Sequence, residues 1–340
     1  MAATGSFQPG RLRLARELDD ISQAKLAADV TLTPAAISQF ESGDSRPSEE
    51  TLVELAKSLN VPVKFLLLPI EETHEGFFRS LRRSSVAQRR KARSLAHLVH
   101  DLAADPASGI QLKDVSVPQF RVDSLDPASP AVIAAAQEAR TNWGVPSGPV
   151  EDVVGLLEEH GVLVLRLPLD EADVDAFSLP FVDRPVVVLG VNKNDRARSR
   201  FDAAHELGHL VMHGESVWGV KEVETQAHRF AAEFLMPEAD IRDELPERAD
   251  WAKFFALKQR WHVSIAALLM RAKDLEAMSP AAYTTAMKGI SARGWRRSEP
   301  IPLGEPEKST VTTELLKAAQ SRTDWFPEHL LPALAESING

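Results

Sequence analysis

The stretch ARSRFDAAHELGHLVMH (197–213) decides the fold of the C-terminal part of this chain, because its apolar residues recur with helical periodicity. His205 and His209 lie four residues apart on one face of the predicted helix, with Glu206 beside them. Two imidazoles at this spacing can hold one metal ion, and the carboxylate can accept a proton from a water that the metal activates. Gly208 costs about 1 kcal/mol relative to alanine inside a helix, so we expect another element or a substrate to approach closely there.

A catalytic zinc ion usually takes three protein ligands and leaves one position for water. The candidates for the third ligand are His213, Glu222, Glu224 and His228. A straight helix would place His213 about 12 Å from His205, which is too far for one ion. His213 is therefore a poor ligand unless the helix breaks, and it could instead contact a ligand. Glu224 begins the next predicted helix, and an antiparallel return would bring it towards the two motif histidines.

Two blocks of sequence, HELGHLVMH (205–213) and VETQAHRFAAEFLMP (223–237), resemble the ImmA/IrrE family of zinc metallopeptidases. The resemblance extends over roughly residues 130–275. It implies a Zn²⁺ site with three ligands and a general base, which are His205, His209, Glu224 and, as the base, Glu206.

The second block departs from the family at two positions. Family members often read Glu-x-Glu-Ala-Asn where this chain reads Glu224-Thr225-Gln226-Ala227-His228. Of the two glutamates in this pattern only Glu224 is retained, which supports it as the ligand. His228 replaces the usual asparagine, and either an additional ligand or a donor on the oxyanion side of the site fits this position.

At the other end of the chain, residues 11–69 predict five short helices. The stretch ISQAKLAADVTLTPAAISQFESGDSRPSEETLVELAKSLNVPVKFLL (21–67) resembles the Cro/CI (XRE) helix-turn-helix family. The resemblance implies that the third helix enters the major groove of a double-stranded DNA operator. The expected base contacts are Thr33, Ala35, Ser38 and Gln39, and the expected phosphate contacts are Gln23 and Arg46.

The charge of this small domain limits its affinity for DNA, because residues 11–69 hold slightly more acidic than basic residues. Dimerisation on a paired half-site would compensate, so a homodimer is expected. The basic segment 79–93, which has no acidic residue, could also contribute. Alternatively, this segment is a solvated linker helix.

The composition excludes several kinds of site. The chain of 340 residues has no cysteine, which excludes disulfides and thiolate metal sites. No apolar run is long enough for a membrane span and no signal peptide is visible, so a cytoplasmic location and no membrane partner are expected. The net charge is −10, and the acidic excess lies entirely in residues 117–340.

These patterns predict an α+β protein that is mostly helical. The expected parts are an N-terminal five-helix domain (1–70), a basic linker helix with a connection (71–127), a zincin-like domain with a small β-sheet and the HExxH helix (128–292), and a mobile extension with a short helix (293–340). The strand PVVVLGV (185–191) could offer an exposed edge for an extended substrate, although a core strand is the simpler interpretation.

The predicted function is a DNA-binding transcriptional regulator with a zinc-dependent endopeptidase domain. Its substrate would be a regulatory protein, namely a partner repressor, an antitoxin or the chain itself, cleaved in response to a signal. The alternative is a non-hydrolytic regulator whose zincin-like domain senses a ligand or binds a partner. A third interpretation is a peptidase whose helix-turn-helix domain only docks protein. An intact Glu206 favours the enzyme, because a pure sensor does not need that carboxylate.

Overall fold

The computed structural model describes residues 5–71, 86–167, 176–191, 195–213, 220–332 and 334. In these ranges the chain is mostly helical with one three-stranded sheet, which confirms the predicted fold class. None of the helices in the same ranges is long and apolar enough to cross a membrane.

The N-terminal domain contains the five predicted helices. They are α1 (Pro9–Leu18), α2 (Gln23–Asp29), α3 (Pro34–Ser42), α4 (Glu49–Ser58) and a 3₁₀ turn (Val63–Leu67). The side-chain oxygens of Ser22 and Thr33 cap α2 and α3 by accepting the backbone N–H three residues on, at 3.1 and 3.2 Å. Gly43 ends α3 with a φ of 82°, a conformation that glycine adopts at little cost.

Helix α5 (Val86–Ala104) packs against α1 and buries one face, so it is part of the domain core rather than a free linker. Arg93 donates from Nη2 to Glu17 Oε2 at 2.9 Å, which commits this basic side chain to the protein itself. Three other arginines of the predicted basic segment lie outside the described residues, namely Arg79, Arg82 and Arg83.

The C-terminal part contains one sheet and the remaining helices. The strands are β1 (Leu163–Leu167), β2 (Ala176–Leu179) and β3 (Val186–Gly190), in the order β1-β3-β2, with β1 parallel and β2 antiparallel to β3. The helices are α6 (Pro130–Asn142), α7 (Val153–Glu159), α8 (Arg196–Met212), α9 (Lys221–Leu235), α10 (Glu238–Ile241), α11 (Trp251–Trp261), α12 (Ile265–Asp274), α13 (Pro280–Ala292) and α14 (Val311–Ala319).

The sheet separates two hydrophobic clusters, because side chains alternate between its faces. On β1, Leu163 and Leu165 join the cluster that contains the N-terminal domain, α5 and α14. Val164 joins the cluster that contains α6 to α9. The N-terminal domain is therefore continuous, through a shared core, with one face of the sheet.

Two connecting segments are packed more tightly than their composition suggests. Residues 117–126, named the strap here, have no regular secondary structure and contact the end of α8, where Phe120 N donates to Val211 O at 2.8 Å. The segment before α14 was expected to be mobile, but Glu307 is buried and accepts from the backbone N–H groups of Val153 and Val154 at 2.9 and 3.1 Å. Four free donors at the start of a helix make such a carboxylate stabilising.

Candidate metal centre and DNA-binding surface

Helix α8 carries the two motif histidines one turn apart. Asp195 caps its first turn by accepting from Arg198 N at 3.0 Å. The helix ends at Met212, and His213 adopts an extended backbone with φ −111° and ψ 100°. The His213 ring lies beside that of His209, with the two Nδ1 atoms 3.0 Å apart.

Helices α8 and α9 approach so closely that only glycine fits at the contact. A Cβ atom on Gly208 would lie 2.9 Å from Cδ1 of Phe230, whose ring is fully buried. Phe230 follows Glu224 on α9 by six residues, so its packing against Gly208 brings the start of α9 alongside the histidines. A glycine that lowers helix propensity is thus explained by packing.

Three metal-ligand side chains converge between these helices. His205 Nε2 and His209 Nε2 are 3.1 Å apart, and the Glu224 carboxylate oxygens lie 3.5 Å from the first and 3.8 Å from the second. One ligand atom of each residue lies within 4.8 Å of the others. Two imidazoles and one carboxylate form a ligand set that is typical of catalytic zinc. The residues therefore fit a zinc ion, and Glu222 is not part of this group.

The protonation of His209 follows from a chain of hydrogen bonds behind it. Gln226 Nε2 donates to the backbone oxygens of Ser124 and Asp126 at 2.7 and 3.2 Å, which leaves Oε1 to accept from His213 Nε2 at 3.0 Å. Burial lowers the pKa of His213, which favours its neutral form. A neutral His213 that donates through Nε2 accepts through Nδ1, 3.0 Å from His209 Nδ1. His209 therefore carries its proton on Nδ1, and its Nε2 lone pair faces the other ligands.

Glu206, the candidate general base, is held by a different element, strand β2. Its side chain is buried, and Ser178 on β2 donates to Oε2 at 2.8 Å. Burial raises the pKa of Glu206 well above its ordinary value and the negative charges of Glu224 and Asp202 raise it further, while the Ser178 hydrogen bond opposes the shift. A cation held by the neighbouring ligands would favour the carboxylate form.

His228 lies beside the ligand group rather than within it. Its ring contacts His205 edge-on, with centroids 4.5 Å apart and planes at 90°, and Phe201 lies on the same side at 5.6 Å. The Nδ1 atom of His228 lies 3.1 Å from Glu224 O of its own helix, so Nδ1–H donates there. Nε2 is then the atom that can face a bound molecule.

Two residues of the site were not predicted from sequence. Ser178 belongs to a strand without any motif, so no local signal marks it. Gln226 occupies the position where family members often have a second glutamate. This difference from the family was the one sequence signal that could have drawn attention to Gln226. The suggested substrate edge on β3 was wrong, because β3 is the central strand and pairs with both β1 and β2.

Most of the predicted DNA-contacting residues are exposed. The side chains of Thr33, Ala35, Ser38 and Gln39 on or before α3 are exposed, and so is Arg46. Gln23 is half-buried, and its Nε2 donates to Glu41 Oε2 at 2.9 Å. Glu41 also accepts two hydrogen bonds from Arg16, at 2.6 and 2.9 Å. The exposed side chains are therefore accessible to a partner, whereas the Gln23 amide is already hydrogen-bonded to Glu41.

Comparison with known families assigns both parts of the chain. Residues 12–66 match the helix-turn-helix family model. Residues 157–273 match the model of a peptidase family described as the IrrE N-terminal-like domain, and this range contains α8, α9 and the three converging ligands. Among curated proteins, a search found no significant match.

Proposed function

Because this chain joins an XRE-type helix-turn-helix domain to an ImmA/IrrE-like domain of a metallopeptidase family, we propose that it is a DNA-binding regulator that hydrolyses a peptide bond in a regulatory protein. One observation carries the proposal. The buried Glu206 carboxylate, oriented by Ser178, lies beside a His205–His209–Glu224 group that fits zinc. Binding of metal alone would not require Glu206.

Each residue of the site has a part in the proposed hydrolysis. Zinc, when bound, supplies Lewis-acid activation of water and of the substrate carbonyl. Glu206 accepts the proton of the attacking water and returns it to the leaving amine. Ser178 holds one Glu206 oxygen, so the other is free to face the water. His213 and Gln226 hold the ligand His209 in the tautomer that presents Nε2. His228, beside His205, already donates from Nδ1 to Glu224 O, and burial lowers its pKa to about 4, so its Nε2 would accept a hydrogen bond from an N–H group of the bound substrate.

The N-terminal domain supplies the link to DNA. The exposed residues of α3 would contact bases, with Gln39 suited to adenine and Arg46 to phosphate. A homodimer would place two such helices on paired half-sites. Since the DNA-binding module shares its chain with the peptidase-like domain, we infer that the substrate is also regulatory, namely a partner repressor, an antitoxin or this chain itself.

The test compares the full-length chain with Glu206→Gln in cells that express candidate repressors and antitoxins. The amide keeps an acceptor for Ser178 and leaves the metal ligands intact, so zinc content and operator binding should stay unchanged. We expect one candidate to be cleaved by the wild type and to survive with the variant. Glu222→Gln is the matched control, because it makes the same change outside the ligand group. Equal survival of every candidate with all three proteins would favour the non-hydrolytic regulator.

A further inference from the structure

A second group of metal-ligand side chains lies at the junction between the N-terminal domain and the sheet. Glu71 follows the 3₁₀ turn that ends this domain, His100 belongs to α5, and Asp183 lies between β2 and β3. One ligand atom of each lies within 4.8 Å of the others. We propose that this junction cluster binds a divalent cation of the Zn²⁺ class. The proposal does not depend on hydrolysis at the first site.

Ring stacking and hydrogen bonds already position the three side chains of the junction cluster. The His100 ring stacks on Phe181, with centroids 3.9 Å apart and planes at 12°, and it is only 7% exposed. His100 Nε2 lies 2.7 Å from Asp183 Oδ1. Val182 N donates to Glu71 Oε1 at 2.9 Å. A cation would therefore meet ligands whose orientation is largely fixed, which lowers the entropic cost of binding.

The charges of the junction cluster favour a divalent cation. Two carboxylates lie within 4.8 Å of each other and repel, and a neutral imidazole does not offset this repulsion. A protonated His100 would offset one negative charge, whereas a divalent cation offsets both. Asp183 has a side chain that is 58% exposed, so water can reach the open side of the cluster and complete the coordination.

The ligand types select among cations. An imidazole nitrogen suits Zn²⁺ and related transition metals, while Mg²⁺ and Ca²⁺ prefer oxygen alone. Bonds of about 2.0–2.2 Å in the tetrahedral geometry of Zn²⁺ place neighbouring ligand atoms roughly 3.3–3.6 Å apart. The His100–Asp183 separation of 2.7 Å would open slightly, and the Glu71 oxygen already lies within 4.8 Å of both other ligand atoms. This is a side-chain adjustment that leaves the stacked His100 ring in place.

A cation in the junction cluster would connect three parts of the molecule. Glu71 belongs to the DNA-binding end, His100 to the helix behind it, and Asp183 to the turn that follows β2. Since β2 also carries Ser178, the turn leads directly to the candidate active site. A bound cation would stabilise the packing of the N-terminal domain against the sheet by mass action. The reason is that the three ligands come together only when these parts are packed against each other.

The test counts Zn²⁺ bound by the full-length protein after chelation and equilibration with excess ion. Glu71→Gln and Asp183→Asn are the informative variants, because each amide keeps the hydrogen bond with Val182 or His100 but removes a charged ligand. We expect each to bind one equivalent less than the wild type and to lose part of the zinc-dependent rise in Tm. Glu224→Gln should remove a different equivalent, so failure of the first site remains distinguishable.

A matched control comes from another histidine–aspartate pair that joins the N-terminal domain to the rest of the chain. His329 Nε2 lies 3.0 Å from Asp19 Oδ1, and this pair is not part of either ligand group. His329→Gln should leave the zinc count at the wild-type value. Equal zinc counts in the wild type and both amide variants would overturn the proposal. The cluster would then be held only by hydrogen bonds such as the one between His100 and Asp183.

Discussion

At the scale of single residues, Gln226 has the most specific role that can be tested. It accepts from His213 and donates to two carbonyl oxygens of the strap, so through His213 it joins the candidate ligand His209 to the segment that leads back to the DNA-binding domain. Partners of this kind fix the orientation and tautomer of a histidine ligand, and their loss typically weakens metal binding by about 10–100-fold.

We predict that Gln226→Leu weakens Zn²⁺ binding by about 10–100-fold. Gln226→Glu should lose less, because its carboxylate still accepts from His213 although it cannot donate to the strap. Competition with a chelator measures the affinity, and the absorption spectrum of the Co²⁺-substituted protein reports the ligand geometry. A purely structural role would instead lower the stability of both variants and leave the spectrum of the folded protein unchanged.

The sequence singled out the candidate metal ligands more readily than the residues that support them. His205, His209 and Glu224 stand at spacings that a metal requires, so helical periodicity and a resemblance were sufficient to name them. Ser178 reaches Glu206 from a strand 28 positions earlier in the chain. Such a contact depends on how the sheet packs against α8, and no local pattern records it.

At the scale of elements, the contact between α8 and α9 positions Glu224. We predict that Gly208→Ala destabilises the fold, because the new methyl group overlaps the Phe230 ring. Overpacking costs about 1–3 kcal/mol and the gain in helix propensity returns about 1 kcal/mol, so a net loss of about 1 kcal/mol is expected. Zinc affinity should fall as well, since α9 carries the third ligand.

The Phe230→Leu background provides the control for this substitution. Without the ring, Gly208→Ala should become neutral or stabilising, because only the propensity gain remains. Urea unfolding of the four proteins measures the coupling between the two positions. The same destabilisation in both backgrounds would contradict the close contact as the reason for the glycine.

A second element-scale prediction concerns the segment before α14. Glu307 pairs with the buried Arg200 and accepts from the N-terminus of α7. Glu307→Gln leaves Arg200 buried without its counter-ion, and we expect a loss of about 3–5 kcal/mol. Glu305→Gln, at an exposed position two residues earlier, should change stability by less than about 0.5 kcal/mol. Equal effects of the two substitutions in urea unfolding would show that the segment is loosely attached.

The secondary structure was largely predictable, whereas the arrangement of its elements was not. The five N-terminal helices follow from capping residues such as Ser22 and Thr33, and the three strands follow from apolar runs. The central position of β3 could not be deduced from the sequence. It depends on which strands pair in the folded sheet, and the order β1-β3-β2 differs from the order along the chain. Likewise, the proline- and charge-rich segment around Glu307 reads as mobile, since burial of one glutamate leaves no periodic signal.

At the scale of the whole molecule, the sheet joins the DNA-binding and metal-binding parts through its two faces. Leu165 on β1 packs into the cluster shared with the N-terminal domain, and Leu189 on β3 packs into the cluster shared with α8 and α9. Both leucines are 1% exposed. A sheet that contributes to both clusters should couple their unfolding, because neither cluster can lose the strands without exposing the other.

We therefore predict that the chain unfolds in a single transition that both Leu165→Ala and Leu189→Ala shift to a similar degree. Each substitution removes a buried leucine side chain, which costs about 2–5 kcal/mol. Calorimetry of the metal-free protein, with intrinsic fluorescence followed in parallel, measures the transitions. The two leucines form a matched pair, since they lie on adjacent strands of one sheet and face opposite clusters. Two resolved transitions, with Leu165→Ala lowering one and Leu189→Ala the other, would show that the parts unfold independently and that the sheet does not transmit changes between the operator-binding surface and the metal centre.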